Sequence, residues 1–485
     1  MSADRPRAKR GHATRINYAH FTARGAFSGR GGNALAVLVL LIVGLALAGG
    51  LPAVAQVRQP AGRLAAPAGD AVVGLPCAEA EFDAALNAVI QTGGGTITFD
   101  CSDQVFTIQF SSEKIIGLGI TVDGARPGGR MRLSGHGARL FGVTANGSLT
   151  LRNLTLTDGD AGANDGGAVV NYGALVITNS EISGNSGQFV GGVENWGAAT
   201  LTDVDIHDNG SLGLSHHGGR EAILTNVTVR SNGANGSSGL YNDAGAYLQM
   251  TGGAIQGNGN YGLNNAGTAV LTNVTISGNP QAGVWNDGTL TLAGATLIGN
   301  NVSGLHNNGV ATLTNVTISG NNGFGVDNRD ATVTLRHVTL RGNTENGLRN
   351  TGDARVINVI LDGNGAGNCG GNVTSQGHNL SSDHTCALAQ AGDLTGADPL
   401  LDPLANNGGF TQTHLPRPGS PAIDGGTCLP GITTDQRGVA RPQGATCDIG
   451  AVEVVSAAPT ATPTPTATAE ARPYRPAPIA GAQKP

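Results

Sequence analysis

The sequence predicts an all-β solenoid, in which short strands stack in successive coils, and three observations support this prediction. An Asn recurs beside glycine through the middle of the chain, aliphatic residues alternate with polar ones around it, and glycine is unusually abundant. The recurring asparagines are Asn185, Asn209, Asn232, Asn258, Asn279, Asn300, Asn321, Asn343 and Asn364, separated by 24, 23, 26, 21, 21, 21, 22 and 21 residues. A fixed period in this range is typical of a solenoid, in which each repeat contacts only its neighbours.

Composition and charge favour short strands and turns over helices. The 485 residues include 78 Gly, with 4% aromatic and 13% charged residues. A helical bundle or a doubly wound enzyme would require more helix formers. The formal net charge is −6, and the only cluster of basic residues lies within the first 30 residues, so we expect no nucleic-acid partner.

Residues 1–55 have the order of a secretory signal peptide. Basic residues between positions 5 and 30 precede an apolar run over 34–48 and a small-residue site at 53–55. We expect cleavage after Ala55, which predicts a secreted protein, extracellular or at the cell surface, with no membrane span in the mature chain. An uncleaved anchor is the alternative, although the apolar run is short for a membrane span.

Residues 56–114 are predicted to form a linker and an N-terminal cap. Within 80–91, apolar residues recur at helical spacing, namely Phe82, Ala85, Leu86, Val89 and Ile90. This spacing predicts an amphipathic helix. Because an open edge of parallel strands invites another chain to add on, we expect the helix to cover the first coil.

Residues 115–368 contain about ten coils of 21–26 residues, and the aligned coils share apolar columns. One column consists of Leu151, Ile177, Leu201, Leu224, Met250, Leu271, Leu292, Leu313, Leu335 and Val356. A second column follows five residues later, and a third lies in a G-L-x-N pattern, at Val169, Val193, Leu214, Leu240, Leu263, Val284, Leu305, Val326 and Leu348. Period-two alternation that changes phase between columns predicts three short strands per coil and three parallel sheets around an aliphatic core.

Asparagine marks the corners between these strands. A second Asn column ends the G-L-x-N pattern, with His216 as the exception, and a third lies in a TNVT sequence, at Asn153, Asn179, Asn226, Asn273, Asn315 and Asn358. An inward amide can hydrogen-bond the corner backbone and the amides of adjacent coils. We therefore interpret the asparagines as structural, and the N-x-T sequences as by-products whose inward amides could not carry a glycan.

With these columns, residues 115–364 resemble the right-handed parallel β-helix family, which includes pectate lyases and many bacterial surface proteins. The resemblance implies an all-β fold, right-handed coiling and a helical N-terminal cap. Right-handed coiling also agrees with the crossover rule for parallel strands. A leucine-rich or ankyrin array would require helices, for which these coils show no pattern.

Residues 369–455 resemble the choice-of-anchor Q domain, which is found at the end of exported β-helices. The resemblance rests on DPLLDPLANNGGFTQTHLPRPGSPAIDGG over 398–426 and TTDQRGVARPQGATCDIGAVE over 433–453. It implies a C-terminal capping module and concerns attachment rather than a reaction. The Thr/Pro-rich residues 456–485 are predicted to form a disordered tail.

Six cysteines lie outside the regular coils, at Cys77, Cys101, Cys369, Cys386, Cys428 and Cys447. An even number in an exported chain predicts disulfides, and pairing of nearest neighbours in sequence is the simplest connectivity. Free buried thiols are the alternative.

A polar patch on the coils around 181–230 is the first candidate site. Glu181 and Asp205 share an outward column about 4.8 Å apart, with His207 and Arg230 in the neighbouring column. Two carboxylates at this spacing could bind Ca²⁺ or act as an acid/base pair with His207, and Arg230 could hold a uronate carboxylate. The hypothesis is catalysis on a polysaccharide, and a solvated polar face is the alternative.

Outward residues beside the G-L-x-N columns are the second candidate site. The aromatic residues there are Tyr172, Trp196, Tyr241 and Trp285, accompanied by Glu194, His217 and Asp243. Aromatic rings along an exposed ridge can stack on sugar rings, which predicts glycan binding. Burial under loops is the alternative.

No cofactor motif is evident, and Ca²⁺ is the one ion that the pattern suggests, at Glu181 and Asp205 or at Asp424, Asp435 and Asp448. The sequence therefore predicts an exported, monomeric, non-catalytic protein that presents a surface for recognising a polysaccharide or cell-surface glycan. A polysaccharide lyase or glycoside hydrolase acting on uronate-containing chains is the alternative, because function lies in sites placed on a fold.

Overall fold

The structure is a computed structural model, and it describes residues 69–101 and 107–455. The predicted signal peptide and the Thr/Pro-rich tail lie outside the described residues. Apart from one N-terminal helix, the described chain up to β35 (Leu394–Thr395) consists of short strands joined by tight corners, and residues 396–455 contain no further strand.

The helix α1 spans Glu79–Gln91. The strands in the first half of the chain are β1 (Ala71–Val73), β2 (Gly95–Phe99), β3 (Thr107–Gln109), β4 (Lys114–Ile116), β5 (Gly119–Asp123), β6 (Ala125–Arg126), β7 (Gly129–Ser134), β8 (Phe141–Val143), β9 (Ser148–Arg152), β10 (Leu154–Thr157), β11 (Val169–Asn171), β12 (Ala174–Ser183), β13 (Val190–Asn195), β14 (Ala198–His207), β15 (Leu212–His216), β16 (Glu221–Arg230), β17 (Leu240–Asn242) and β18 (Tyr247–Gln256). They are followed by β19 (Leu263–Asn265), β20 (Thr268–Thr272), β21 (Thr275–Ser277), β22 (Ala282–Asn286), β23 (Thr289–Ala293), β24 (Thr296–Ile298), β25 (Ser303–Asn307), β26 (Val310–Ser319), β27 (Phe324–Asn328), β28 (Thr332–Arg341), β29 (Leu348–Asn350), β30 (Asp353–Ile357), β31 (Ile360–Asp362), β32 (Cys369–Gly370), β33 (Thr374–Ser375), β34 (Leu380–Ser381) and β35 (Leu394–Thr395).

Each strand pairs in parallel with its counterpart in the next coil, which confirms the predicted parallel solenoid. The coils make about 14 turns, more than the ten predicted from the repeats. The additional turns lie at both ends, where the chain keeps the strands but loses the regular Asn columns. One antiparallel pair, β6 with β7, is a hairpin that projects from an early coil.

The hydrogen-bonded sheets differ from the three that were predicted. One sheet has 12 strands, and the other has 23 because the strands on both sides of the TNVT corner belong to it. At that corner a single residue adopts a left-handed conformation, with φ of 43° at Asn179 and 53° at Asn226. A single such residue bends the chain without interrupting the ladder, so β12 continues through the corner as one 10-residue strand. We call the 23-stranded sheet the longer sheet and the 12-stranded sheet the shorter sheet.

The inward orientation predicted for the TNVT asparagines was wrong, since even the buried Asn315 and Asn358 point outward, to Thr434 and Thr427 of the chain after the coils. Asn179 and Asn226 are exposed, because the left-handed conformation turns the side chain outward. Asn179 donates to Asn153 Oδ1 at 2.7 Å on the outside of the corner. The amides of Asn179 and Asn226 are therefore not kept from carrying a glycan by an inward orientation.

The two other Asn columns point inward and form ladders, as predicted. In the first, each Nδ2 donates to the Oδ1 of the next coil at 2.8–3.3 Å from Asn185 to Asn364. In the second, the same bonds measure 2.6–2.7 Å from Asn242 to Asn350. His216 takes an Asn position in this second ladder, with its Nδ1 at 2.9 Å from Asn195 Nδ2.

Glycine precedes the aliphatic residue of G-L-x-N because the first ladder passes close to it. A Cβ at Gly239 would lie 2.6 Å from Asn258 Nδ2, and one at Gly283 would lie 2.8 Å from Asn300 Nδ2. The aliphatic residues beside these glycines, from Val169 to Leu348, are fully buried, and so is the column from Leu151 to Val356. The predicted core is therefore confirmed.

The helix α1 covers the first coil, as predicted. Its Phe82 ring packs against Phe110 with centroids 4.7 Å apart, and its Glu79 forms an ion pair of 2.7 Å with Lys114. The disulfide Cys77–Cys101 joins the start of the helix to the chain beyond β2. The other disulfides are Cys369–Cys386 and Cys428–Cys447, so the nearest-neighbour pairing is confirmed.

Beyond β35 the chain folds back over the solvent-facing side of the longer sheet. Thr317 Oγ1 donates to Gln436 Oε1 at 2.7 Å, and the Ala451 amide donates to Thr339 Oγ1 at 3.1 Å. Arg441 and Glu453 form a fully buried ion pair of 2.8 Å within this segment. This segment thus covers the longer sheet in the late coils. These contacts do not involve the shorter sheet.

Candidate binding face

The x residue of G-L-x-N points outward on the shorter sheet, because it follows an inward aliphatic residue in the same strand. In-register pairing brings these residues into one continuous line, which we call the outer row. It consists of Glu194, Ser215, Tyr241, Asn264, Trp285, His306, Asp327 and Arg349. With about 4.8 Å between coils, the row is about 34 Å long.

A second line of side chains stands at the corner directly after the second Asn ladder. It includes Tyr172, Trp196, His217, Asp243, Asp287 and Arg329. All of these side chains but Tyr172 hydrogen-bond the outer row, and we call the two lines together the outer face.

An aromatic cluster occupies the early part of the outer face. The Trp196 indole lies on the His217 imidazole, with ring centroids 4.2 Å apart and planes 12° from parallel. The Tyr241 ring lies 5.9 Å from the same imidazole. Trp196 is 45% exposed and Tyr172 is 53% exposed, so neither ring is covered by a loop.

Hydrogen bonds fix the orientation of each ring in this cluster. Trp196 Nε1 donates to Glu194 Oε1 at 2.9 Å, and the Tyr241 hydroxyl donates to Asp243 Oδ1 at 3.0 Å. His217 is held at both nitrogens, with Nδ1 at 3.0 Å from Asp243 Oδ2 and Nε2 at 2.6 Å from Ser215 Oγ. The cluster is therefore rigid before any ligand arrives.

The two carboxyl groups of this cluster have pKa values shifted in opposite directions. Burial raises the pKa of Glu194, although the bond from Trp196 opposes this. Burial also acts to raise the pKa of Asp243, but hydrogen bonds from His217, the Ala244 amide and Tyr241 outweigh it, and the pKa is lowered. Burial and the neighbouring Asp243 raise the pKa of Tyr241 to about 12.

A second aromatic cluster lies farther along the outer face. The Trp285 indole stacks on the His306 imidazole, with centroids 3.9 Å apart and planes 10° from parallel, and the Tyr261 ring lies 5.0 Å from Trp285. Trp285 Nε1 donates to Asp287 Oδ2 at 2.9 Å. The two clusters thus share one arrangement, in which an indole lies on an imidazole and donates to a carboxylate.

A buried carboxylate ends the second cluster. Asp327 is fully buried, lies 3.1 Å from His306 Nδ1, and accepts from Arg329 Nε at 2.9 Å and Arg349 Nε at 2.7 Å. Burial opposes ionisation of Asp327, but His306 and the two guanidinium groups outweigh it and lower the pKa. Phe324 lies under Arg349, with its ring centroid 4.5 Å from the guanidinium carbon.

The four aromatic residues singled out from the sequence all lie on the outer face. Sequence reasoning missed His306, Asp327, Arg329 and Arg349. The signal was present, because His306, Asp327 and Arg349 occupy the same x position as Tyr241 and Trp285.

The other predicted cluster lies on the longer sheet. Glu181 and Asp205 are direct neighbours in register, and so are His207 and Arg230. His207 Nε2 lies 3.1 Å from Glu181 Oε1, and Arg230 Nη2 donates to Asp205 Oδ2 at 2.8 Å. The structure therefore brings these four side chains together, on a face separate from the aromatic residues. We call this cluster the Glu181 patch.

Each side chain of the Glu181 patch has a hydrogen-bond or ion-pair partner. His207 Nδ1 also lies 2.8 Å from Asp208 Oδ2, and Ser183 donates to Glu181 at 3.0 Å. The hydrogen bond to Asp205 raises the pKa of Arg230. The patch is a compact ion-pair network.

Neither predicted Ca²⁺ position has a metal-binding arrangement. Within 69–101 and 107–455, no group of three or more His, Cys, Asp or Glu side chains is placed to hold a metal ion. Asp435 is instead bonded to Arg437 at 2.9 Å, and Asp448 accepts from the Asp424 amide at 2.7 Å. In the same part of the chain, no helix has the length and apolar character needed to cross a membrane.

Residues 139–302 match a family profile described as a right handed beta helix region. The fold is a right-handed parallel β-helix. Comparison with curated proteins found no significant match.

Several solved structures resemble the β-helix at low sequence identity. The catalytic domain of an alpha-1,3-glucanase in complex with tetrasaccharides is 14% identical with a TM-score of 0.49, covering 66% of this chain and 70% of its own. The A-module of a mannuronan C-5 epimerase of Azotobacter vinelandii is 14% identical with a TM-score of 0.38, covering 65% and 94%. A pectate lyase is 16% identical with a TM-score of 0.36, covering 74% and 88%.

Proposed function

We propose that this β-helix is an exported protein that binds a polysaccharide along its outer face. The observation that carries the proposal is the pair of indole-on-imidazole stacks, Trp196 on His217 and Trp285 on His306. Aromatic faces and edges offer sugar rings a flat apolar contact, while the adjacent carboxylates can accept hydroxyl hydrogen bonds. The three disulfides fit an oxidising compartment outside the cytosol.

The geometry favours an extended ligand over a small one. The two stacks are four coils apart along the shorter sheet, or about 19 Å, which is longer than a single sugar ring. The rings are already fixed by hydrogen bonds, so binding would cost little side-chain entropy. A linear glycan lying parallel to the helix axis would contact both stacks.

Isothermal titration calorimetry against neutral and acidic oligosaccharides, with and without Ca²⁺, tests the proposal. Binding should strengthen with oligosaccharide length until both stacks are spanned, and Trp196→Ala and Trp285→Ala should each weaken it by about tenfold or more. Trp196→Ala and Trp285→Ala variants that keep the wild-type affinity would remove the outer face from the binding site.

Cleavage of the bound polysaccharide is the second candidate function, and the opposite pKa shifts of Glu194 and Asp243 favour it. A carboxyl group with a raised pKa beside one with a lowered pKa is the arrangement needed for a general acid and a general base. In the Glu181 patch, the carboxylates instead contact His207 at 3.1 Å and Arg230 at 2.8 Å. The outer face is thus the better place for an acid and a base.

Product analysis separates cleavage from binding. New chain ends that disappear in Glu194→Gln, and persist in Asp205→Asn, would assign a reaction to the outer face. Loss in Asp205→Asn alone would assign it to the Glu181 patch. If wild-type protein binds oligosaccharides and releases no new ends, the protein is a binding protein.

A further inference from the structure

Asp327 is unusual among the carboxylates of the β-helix, because two arginines converge on it. Arg329 and Arg349 come from adjacent coils and each uses its Nε for this contact. Three other arginines on the described coils each pair with one carboxylate, in Arg230–Asp205, Arg355–Asp353 and Arg152–Asp123. One charge of the arginine pair is therefore not balanced by Asp327.

The contact geometry leaves the outer ends of both guanidinium groups available to a ligand. Each arginine donates to Asp327 through its Nε, so the Nη donors at the tip of each guanidinium are not used by this carboxylate. Arg329 is 48% exposed and Arg349 is 30% exposed, whereas Asp327 is fully buried. The carboxylate thus acts as a fixed support, and the positive groups face the solvent.

Arg349 is also held from a second direction, and Asp327 is tied to the second aromatic cluster. The Phe324 ring packs under Arg349 at 4.5 Å, and His306, which stacks on Trp285, contacts the same Asp327. Arg349 is therefore held on two sides, and the carboxylate that both arginines share is itself tied to the second aromatic stack. Two oriented guanidinium groups suit planar or tetrahedral anions, which accept paired hydrogen bonds from the fork of donors.

We propose that Arg329 and Arg349 form a subsite for an anionic substituent, a carboxylate or a sulfate group, of a glycan that also contacts Trp285. Arg349 lies three coils, or about 14 Å, beyond Trp285 in the outer row, so the subsite serves a different part of the same chain. This inference rests on the proposed function and adds to it a preference for acidic polysaccharides. The preference is notable in a chain of net charge −6, which as a whole repels polyanions.

Two matched pairs of ligands test the subsite. The first is an oligogalacturonate with its fully methyl-esterified form, and the second is a sulfated dextran oligosaccharide with its unsulfated form. Affinity is measured at several NaCl concentrations for wild type, Arg329→Gln, Arg349→Gln and the double variant. Arg355→Gln is the matched control, because Arg355 is 54% exposed, pairs with one aspartate and lies on the longer sheet.

The wild type should bind at least one acidic ligand about tenfold or more tightly than its neutral partner at low salt. The double variant should lose this preference and its salt dependence, while its affinity for the neutral ligand stays unchanged. Arg355→Gln should behave as wild type. If only the oligogalacturonate binds more tightly than its neutral form, the subsite is specific for carboxylates. If only the sulfated dextran does, it is specific for sulfate groups. If both do, the subsite accepts either anion.

The outcomes distinguish failure of the subsite from failure of the proposed function. Equal binding of acidic and neutral ligands by the wild type overturns the subsite and leaves glycan binding in place. An acid preference that survives in the double variant overturns it too. Equal loss of both ligand forms in a double variant with wild-type circular dichroism makes the arginines structural. If no ligand binds to the wild type, both proposals fail.

Discussion

The indole of Trp285 lies flat on the imidazole of His306, and that imidazole in turn contacts the buried carboxylate of Asp327. Three successive coils therefore contribute an aromatic ring, a polar ring and a charge to one fixed unit. The parallel register makes such a unit possible, because it places equivalent positions of adjacent coils about 4.8 Å apart. The same register produces the stack of Trp196 on His217 four coils earlier.

Asp327→Asn should destabilise the late coils. The substitution leaves two guanidinium groups without their common counter-charge, and because these groups are partly exposed we expect a loss of about 1–3 kcal/mol. Chemical denaturation followed by circular dichroism measures this loss in the free energy of unfolding. Asp353→Asn is the control, since Asp353 is 40% exposed and its partner Arg355 is exposed too. Equal effects of both substitutions would contradict a supporting role for Asp327.

The inward Asn ladder should be far more sensitive to substitution than the outward corner. Asn279 is fully buried, and Asn279→Ala removes the oxygen that accepts from both the amide and the Nδ2 of Asn258. Leaving buried donors unpaired should cost about 2–4 kcal/mol. Asn226→Ala, at an exposed corner, should cost about 1 kcal/mol. A thermal unfolding series compares the two variants, and an equal cost would count against the ladder.

Gly283→Ala should destabilise the coil although alanine is small. Its Cβ would lie 2.8 Å from both Asn300 Nδ2 and the Gly304 carbonyl oxygen, so the ladder or the next strand would have to move. Overpacking of this kind costs roughly 1–3 kcal/mol. The control Gly219→Ala meets no atom within 4 Å. Unfolding midpoints of the two variants should differ clearly, and identical midpoints would refute the steric explanation for the glycine column.

Stability should depend on pH through Asp448 in the C-terminal segment. Burial raises the pKa of Asp448 from 3.8 to about 6, so the folded state holds the proton more tightly than the unfolded chain. The contribution to stability is fully present below pH 3.8 and is lost as pH rises through about 6. The loss should be as large as about 3 kcal/mol.

Other groups, among them Glu79 and His337, act in the opposite direction and must be separated from Asp448. The pKa of Glu79 is lowered to about 2, where its bonds to Lys114 and Ser111 outweigh burial, and burial lowers that of His337 to about 3. Their contributions are lost as pH falls, below 4.5 for Glu79 and below 6.5 for His337. The test is therefore the difference between wild type and Asp448→Asn from pH 4 to 7. No pH dependence in that difference would contradict the assignment.

The fold could be predicted because its main determinants are local and periodic. The alternation around Leu271 and the recurrence of Asn279 specify strand, corner and coil length without long-range information. The same regularity predicted that Glu181 would meet Asp205, since parallel in-register stacking converts a repeat offset into a contact. The helix Glu79–Gln91 followed from apolar spacing alone.

The remaining features depend on properties that residue types do not carry. Whether Asn226 faces inward or outward is decided by the sign of its φ, and the letters TNVT do not give that sign. The packing of Gln436 on Thr317 joins segments 119 residues apart, which no repeat pattern encodes. Asp327 escaped notice because polar residues at outward positions are common, and only its contacts with Arg329 and Arg349 set it apart.

Tryptophan fluorescence tests the central claim most directly, because the chain has only two tryptophans and both, Trp196 and Trp285, lie on the outer face. Oligosaccharides of increasing length should be titrated into wild type, Trp196→Phe and Trp285→Phe. Each single-tryptophan variant should show a saturable change in emission, with affinity that rises until the ligand spans both rings. Oligosaccharides that bind by calorimetry without changing the emission of either variant would place the binding site elsewhere.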